Sequence, residues 1–210
     1  MIQNELKPEG NAPVSLSIKI LALALPFMAA ITLAHAQTDV VERLNVPGPI
    51  QFDGKDFALA WTSAPTEGYF KQEYVPAGQV VETFTDMFLV EVATRPLRPI
   101  DAAGGQIQSL QARKQTDPVV NYDILHNENS GEVLLDFVLS DLKADPIFVE
   151  WNAYRYVEQP DGEGVVLYGI SRRGYGDDGA KALLESLKTI RSPTILALSS
   201  AELPPVSVKD

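Results

Sequence analysis

The stretch IFVEWNAYRYVEQPDGEGVVLYGIS, residues 147–171, decides the fold class of this chain. Two runs rich in β-branched and aromatic residues, 147–157 and 165–171, flank the turn sequence Gln159-Pro-Asp-Gly162. Residues of these types favour extended strands, and proline followed by Asp-Gly is a strong turn signal. The stretch therefore predicts two antiparallel strands joined by a hairpin.

More strand-like runs precede this hairpin. They are residues 57–61, 69–75, 87–93, 122–125 and 133–139. The turn Asp53-Gly54 can also join residues 50–52 to the run after it as a further hairpin. The later runs are separated only by short turn-forming segments, and such connections predict an antiparallel meander.

Two segments carry the helical period. In residues 100–115 the apolar positions are Ile100, Ala103, Ile107 and Leu110. The second helix opens at Asp177-Asp178 and is expected to stop at Pro193, and its apolar face comprises Ala180, Leu183, Leu184, Leu187 and Ile190. The expected fold class is α+β: an antiparallel meander of about five to seven strands with two helices packed on it.

Residues 18–36 have the pattern of an export signal. Lys19 precedes an apolar run that ends in Ala34-His35-Ala36, the small-x-small pattern that signal peptidases cut. Cleavage after Ala36 would leave Gln37 first, and a spanning helix needs about 20 apolar residues, more than this run offers. The prediction is a periplasmic or secreted protein with no membrane span after cleavage.

The domain organisation follows from this signal. Residues 1–36 form an N-terminal extension and cleaved signal, 37–200 a single α+β domain, and 201–210 a loose, proline-rich tail. The extension before Val14 is acidic, whereas signal peptides begin with a basic segment, so translation from Val14 is an alternative to Met1.

Composition excludes several functions. The formal net charge is −11, which disfavours binding to nucleic acid. The chain has no cysteine, so it can form no disulfide, thiolate metal site or lipid anchor on a thiol. Only His126 follows the signal, which argues against zinc and copper centres. No metal site, cofactor or catalytic residue is predicted.

Three polar clusters have structural explanations. The glycine-rich residues 172–179 are interpreted as a strand-to-helix connection rather than an anion site, because Asp177 and Asp178 would repel an anion. Asp123, His126 and Glu128 lack a recognisable nucleophile, and Asp136, Asp141 and Asp145 lack the spacing of a calcium loop.

Aromatic residues offer the best candidates for ligand binding. Residues 69–75 alternate, with Phe70, Gln72 and Tyr74 on one face and Tyr69, Lys71, Glu73 and Val75 on the other. Tyrosine and tryptophan combine an apolar body with a polar tip, which suits a binding groove as well as a core. The candidates for ligand binding are Tyr69, Glu73, Tyr74, Trp151 and Tyr154.

The segment YFKQEYVPAGQ, residues 69–79, followed by Phe84 and Met87, resembles a pattern in small uncharacterised exported proteins of Gram-negative bacteria. The order of strands, helix, meander and helix is similar to the PsbP-like α+β architecture. Neither resemblance implies catalytic residues.

The functional expectation is a non-catalytic binding or accessory domain of the cell envelope, with a small molecule or an envelope protein as partner. A hydrolase that uses a pair of carboxylates on a carbohydrate-like ligand is the alternative, because two carboxylates suffice for glycoside cleavage. An assembly subunit that docks through an exposed apolar patch is a third class. Whether the protein is an enzyme stays open, with the balance against it.

Overall fold

The computed structural model describes residues 40–160 and 162–209, which belong to one compact unit. The predicted signal, with Ala34, Ala36 and Gln37, lies outside the described residues, as does Asp161 of the hairpin turn. The strands are β1 (Ile50–Phe52), β2 (Lys55–Thr66), β3 (Tyr69–Pro76), β4 (Asp86–Ala93), β5 (Asn121–His126), β6 (Val133–Asp141), β7 (Phe148–Glu158) and β8 (Val165–Tyr175). Helix α1 (Pro99–Arg113) follows β4, and α2 (Gly176–Ser200) follows β8.

All eight strands form one antiparallel sheet in the order β1-β2-β3-β4-β8-β7-β6-β5, which curls into a half-barrel. The predicted meander of five to seven strands is therefore wrong in strand number and in order. Two four-stranded meanders meet where β4 pairs with β8, from Asp86 opposite Arg172 to Ala93 opposite Val165. Local turn signals predict pairing only between neighbours in sequence, so this central pair could not be inferred from them.

The Asp53-Gly54 hairpin is confirmed. β1 pairs with β2 through Ile50 opposite Phe57 and Phe52 opposite Lys55. Asp53 and Gly54 have φ of 50° and 73°. These left-handed conformations match the twist of the flanking strands, which explains why Asp-Gly is favoured in two-residue hairpins.

Helix α2 continues through Pro193 to Ser200, so the prediction that it stops at Pro193 is wrong. Proline inside a helix costs about 3 kcal/mol because a hydrogen bond is lost and the ring crowds the preceding turn. Thr194 and Leu198 beyond it are buried, and this packing offsets that cost. Leu184 is 41% exposed and does not belong to the buried face. Neither helix of the described residues is long and apolar enough to cross a membrane.

The two faces of the sheet bury separate sets of side chains. On the face covered by α2, the core includes Tyr74, Phe88, Trp151, Ile170 and Leu198. On the face covered by α1, it includes Ala103, Leu110, Leu135, Tyr156 and Leu167. Side chains alternate between faces along a strand, so a strand buried on both sides is apolar at almost every position.

Residues 201–209, for which the sequence predicts a loose tail, are held against the start of the domain. The Ser207 N–H donates to the Leu44 carbonyl at 3.1 Å and the Lys209 N–H to the Arg43 carbonyl at 2.8 Å. The Tyr168 hydroxyl donates to the Pro204 carbonyl at 2.8 Å. The tail thus helps to cover the α2 side of the sheet.

Replacing Gly105 with alanine is expected to raise the free energy of unfolding by about 1 kcal/mol. Gly105 is exposed within α1, and a Cβ there would meet no atom within 4 Å. Urea unfolding should show a higher midpoint with an unchanged slope. Gly78→Ala is the matched control: space is open there too, but φ is +85°, so alanine should lower the midpoint. Equal shifts in both variants would contradict this account.

Candidate functional site

A cavity of about 500 Å³ lies between the first half of α1 and the sheet surface formed by β3, β4, β7 and β8, and we call it the α1 cleft. Its sheet wall contains Tyr69, Lys71, Glu91, Tyr154 and Tyr156. Ala102 and Gln106 of α1 line the opposite side. The cleft therefore places the two tyrosines of β7 beside the ion pair between Lys71 of β3 and Glu91 of β4.

Gly169 of β8 makes room for the aromatic wall. It lies opposite Tyr154 of β7 and opposite Leu89 of β4. A Cβ at Gly169 would lie 2.7 Å from the Tyr154 ring and 2.8 Å from a methyl group of Leu89. Because glycine has no side chain, the Tyr154 ring can lie across β8, which holds it beside the cleft.

Glu91 forms the polar floor of the cleft. Register places it opposite Lys71, whose Nζ lies 2.9 Å from its Oε1. The Tyr69 hydroxyl donates to the other carboxylate oxygen, Oε2. Burial, reinforced by Glu91, raises the pKa of Tyr69. The hydroxyl therefore stays protonated and the carboxylate is held on both oxygens.

Tyr154 and Tyr156 form a fixed aromatic wall. The Tyr154 ring packs edge-on against Phe137 at 5.0 Å between centroids and against Tyr156 at 6.3 Å. Burial raises the pKa of both tyrosine hydroxyls. Neutral rings in edge-to-face contact give a preformed surface that needs little ordering when a ligand binds.

Three carboxylates and two cations line the α1 cleft, and a third cation, Arg98, lies just outside it. Glu67 and Asp101 line it in addition to Glu91, and Arg95 lines it in addition to Lys71. Arg98 pairs with both carboxylate oxygens of Asp101, at 2.6 and 2.8 Å. The net charge of −11 is thus carried elsewhere on the chain.

Glu73 lies on the same face of β3, two residues beyond Lys71, but does not line the cleft. Burial raises the pKa of its carboxyl, and the nearby Lys71 partly opposes this. Glu73 is therefore easier to protonate than an ordinary glutamate.

The structure brings together three of the five predicted ligand residues. Tyr69, Glu73 and Tyr154 share the α1 face. Tyr74 lies on the α2 face, where its hydroxyl donates to the Val46 carbonyl at 2.6 Å. Trp151 is buried there as well, and its Nε1 donates to Asp136 at 3.2 Å.

Glu91, Lys71 and Gly169 are not among the site residues predicted from the sequence. The alternation of β3 places Lys71 beside Tyr69 and Glu73, so that signal was present. Glu91 becomes a candidate only through its register with Lys71, and Gly169 only through its register with Tyr154. Both pairings depend on the strand order.

Several polar residues of the other clusters make structural contacts. β8 ends at Tyr175 and α2 begins at Gly176, so residues 172–179 are a strand-to-helix connection. Asp136 accepts from the Arg191 guanidinium at 2.6 and 2.7 Å. Asp141 accepts from the N–H groups of Lys143 and Ala144 in a turn.

Comparison with known proteins places the chain in a family. Neither the curated proteins nor the solved structures include a match, and the resemblance to the PsbP-like architecture is not confirmed. A family model matches residues 44–203, which contain every strand and helix described above. The chain belongs to this family of uncharacterised bacterial proteins.

Proposed function

We propose that the protein is a non-catalytic binding domain that holds a small, neutral, hydroxyl-rich ligand of the carbohydrate type in the α1 cleft. The observation that carries the proposal is the Glu91 carboxylate, held by Tyr69 and Lys71 beside the rings of Tyr154 and Tyr156. Hydroxyl groups of a ligand can donate to the carboxylate and accept from Lys71. Aromatic rings offer a face for the apolar side of a sugar ring.

Charge balance favours a neutral ligand. A charged ligand would lose its hydration on entering the cleft without a surplus of opposite charge to replace it. Of the lining carboxylates Glu67, Glu91 and Asp101, two are ion-paired: Glu91 with Lys71, and Asp101 with Arg98 beside the cleft. Arg95 is a further cation of the lining. A neutral ligand with many hydroxyls can donate hydrogen bonds to the carboxylates and accept hydrogen bonds from the cations at the same time.

The size of the cleft supports a small molecule. Its volume of about 500 Å³ falls within the roughly 300–1,000 Å³ typical of small-molecule sites. The apolar residues Leu97, Val165 and Leu167 line it as well. Apolar walls with a few convergent polar groups are the usual composition of such sites.

The place of action in this proposal is the periplasm or the exterior. Its support is the sequence of residues 18–36, where an apolar run after Lys19 ends in Ala34-His35-Ala36. Mass spectrometry of the protein from the envelope fraction tests it: an N-terminus at Gln37 is expected, and an intact N-terminus would contradict export by cleavage.

Calorimetric titration of the protein with neutral mono- and disaccharides tests the ligand class. Glu91→Gln should weaken binding about tenfold, because a charged acceptor of the ligand hydroxyls becomes a neutral one. Tyr69→Phe should also weaken binding, because Glu91 loses the hydroxyl that holds its Oε2. Tyr168→Phe is the matched control, because its hydroxyl serves the opposite face. Tighter binding of amino sugars or uronic acids would contradict the neutral class. Binding that survives both cleft variants would exclude this cleft.

Glu73 favours one second candidate, a glycoside hydrolase. Such enzymes need a protonated and an ionised carboxyl near one bond. Burial raises the pKa of Glu73, whereas Glu91 on the same face is ion-paired with Lys71. The ligand would have to extend beyond Lys71 to reach Glu73, which lies outside the cleft. Glu73 would then give its proton to the leaving oxygen, and Glu91 would take a proton from the water that attacks the sugar. Release of phenol from aryl glycosides by the parent protein, and its loss in the Glu73→Gln variant, would establish the hydrolase. If the parent releases no phenol, the non-catalytic binding domain is the function that stands.

A further inference from the structure

Strand β5 ends the sheet with an unguarded edge. Within residues 40–160 and 162–209, no strand pairs with its outer side. It runs for six residues, contains neither proline nor lysine, and pairs with β6 without a register shift. The opposite edge, β1, has three residues and follows Pro47-Gly48-Pro49. Proteins protect sheet edges with short strands, charged side chains, prolines or bulges. The one carboxylate of β5, Asp123, is paired with Arg191, and β5 has no proline, lysine or bulge.

The backbone groups that face outward on β5 belong to Tyr122, Ile124 and His126. The Asn127 N–H donates to the Glu132 carbonyl at 2.9 Å, which fixes the alternation of hydrogen-bonded pairs between β5 and β6. Residues 121, 123 and 125 therefore bond to β6. In agreement, the Ile124 N–H donates to the side chain of its neighbour Asp123 at 3.0 Å instead of to β6.

We propose that two copies of this chain pair antiparallel through β5, with Ile124 on the two-fold axis. Ile124 then faces Ile124 of the second copy, and Tyr122 faces His126. Each of these opposed pairs exchanges two backbone hydrogen bonds, so the edge forms about six. The two sheets become one continuous sheet.

Self-complementarity of the side chains supports a second copy as the occupant. In this register Asp123 of one copy lies opposite Leu125 of the other, and no like charges face each other. Leu125 is 57% exposed in the single chain and would be covered. Asp123 is already paired with Arg191 at 3.1 Å, so its charge does not repel the second copy.

Pairing exchanges the local bond between Ile124 and Asp123 for one between the two copies. The edge is narrow compared with the roughly 1,200–2,000 Å² of a standard stable interface, so we expect an equilibrium dimer in the micromolar range. Asp123→Ala removes the competing acceptor, and Arg191 keeps Asp136 as its partner. This variant should dimerise more tightly.

Because the chain has no cysteine, single introduced cysteines report the register cleanly. In a hydrogen-bonded antiparallel pair the opposed Cα atoms lie about 5.5 Å apart, within the range of about 4.4–6.8 Å for a disulfide. Under copper-catalysed oxidation, Ile124→Cys should form a covalent dimer. Leu125→Cys is the control, since its two copies lie about 8 Å apart, two residues out of register. If disulfides formed only by random collision of monomers, the cysteine at the more exposed position 125 would form covalent dimers more readily than the one at position 124.

Sedimentation equilibrium of the full chain gives the second readout. Ile124→Lys should weaken the dimer at least tenfold, because two lysines would meet on the axis, and Asp123→Ala should tighten it. Circular dichroism checks that each variant is folded. A protein that stays monomeric at about 500 μM overturns the proposal. This concentration is far above the micromolar dissociation constant expected for a specific interface of this size. Oxidation of Leu125→Cys as efficient as that of Ile124→Cys also overturns the proposal.

Discussion

Gly174→Ala is expected to destabilise the fold by about 3 kcal/mol, the upper end of typical overpacking costs. A Cβ at this position would lie 2.1 Å from the carbonyl oxygen of Gly179 and 2.6 Å from its carbonyl carbon. Both atoms are backbone atoms in the first turn of α2, so no side-chain rotation relieves the clash. The helix would have to shift away from the end of β8.

Gly176→Ala is the matched control for this prediction. Its φ of +64° strains an alanine, but a Cβ there would meet no atom within 4 Å. The strain costs about 1–2 kcal/mol. Urea unfolding of both variants measures the difference. If Gly174→Ala lowers the free energy of unfolding no more than Gly176→Ala does, the close approach of β8 and α2 is not the reason that residue 174 must be glycine.

Asp117→Ala is expected to destabilise the fold by about 3 kcal/mol, because it leaves buried hydrogen-bond donors without an acceptor. Asp117 follows α1 and accepts from the Ser140 N–H and hydroxyl, both at 2.7 Å. It also accepts from Arg113 at 3.0 Å and from the Val119 N–H at 3.1 Å. These hydrogen bonds connect the end of α1 to β6, so their loss should weaken the packing of α1 on the sheet.

The same substitution should change the response to acid. Burial opposes ionisation of Asp117, but the hydrogen bonds from Ser140, Arg113 and Val119 outweigh it and hold its pKa below the usual range. A carboxyl whose pKa is lower in the folded state adds stability above its unfolded pKa, and this stability is lost as the pH falls through the folded value. The variant should therefore lose less stability than the parent on acidification.

Unfolding in urea at neutral pH and at pH values below 4 tests both parts. Asp101→Ala is the control, because its ion pair with Arg98 lies at the surface and should contribute little. Equal acid sensitivity of Asp117→Ala and the parent would contradict the assigned role of this carboxylate.

The sequence predicts the strands better than their arrangement. The Asp53-Gly54 hairpin and the alternation of β3 are local patterns, and both are confirmed. The pairing of β4 with β8 joins distant segments, and no local signal encodes it. The predicted end of α2 at Pro193 was wrong for a related reason. The cost of a proline within a helix can be estimated from the sequence, but the burial of Leu198 that compensates for it depends on the tertiary fold.

The candidate site shows the same division. Tyr69, Glu73 and Tyr154 could be named from residue type and period. Their partners Lys71 and Glu91 form a pair only because β3 and β4 align them, and the sequence does not fix that register. Trp151 and Tyr74 have the right chemistry on the opposite face, so residue type alone could not distinguish a core aromatic from one in a cleft.

The central β4–β8 pair also determines when the chain can fold. β4 spans residues 86–93, but its partner is the last strand, residues 165–175. Pairing of distant segments slows folding because a long loop must close before contacts repay its entropy. Strands β1 to β4 can pair with one another early, but β4 lacks its second neighbour until residues 165–175 have been synthesised. We expect late, slow folding. This would suit the export proposed above, because only an unfolded chain can be threaded through a narrow secretion channel.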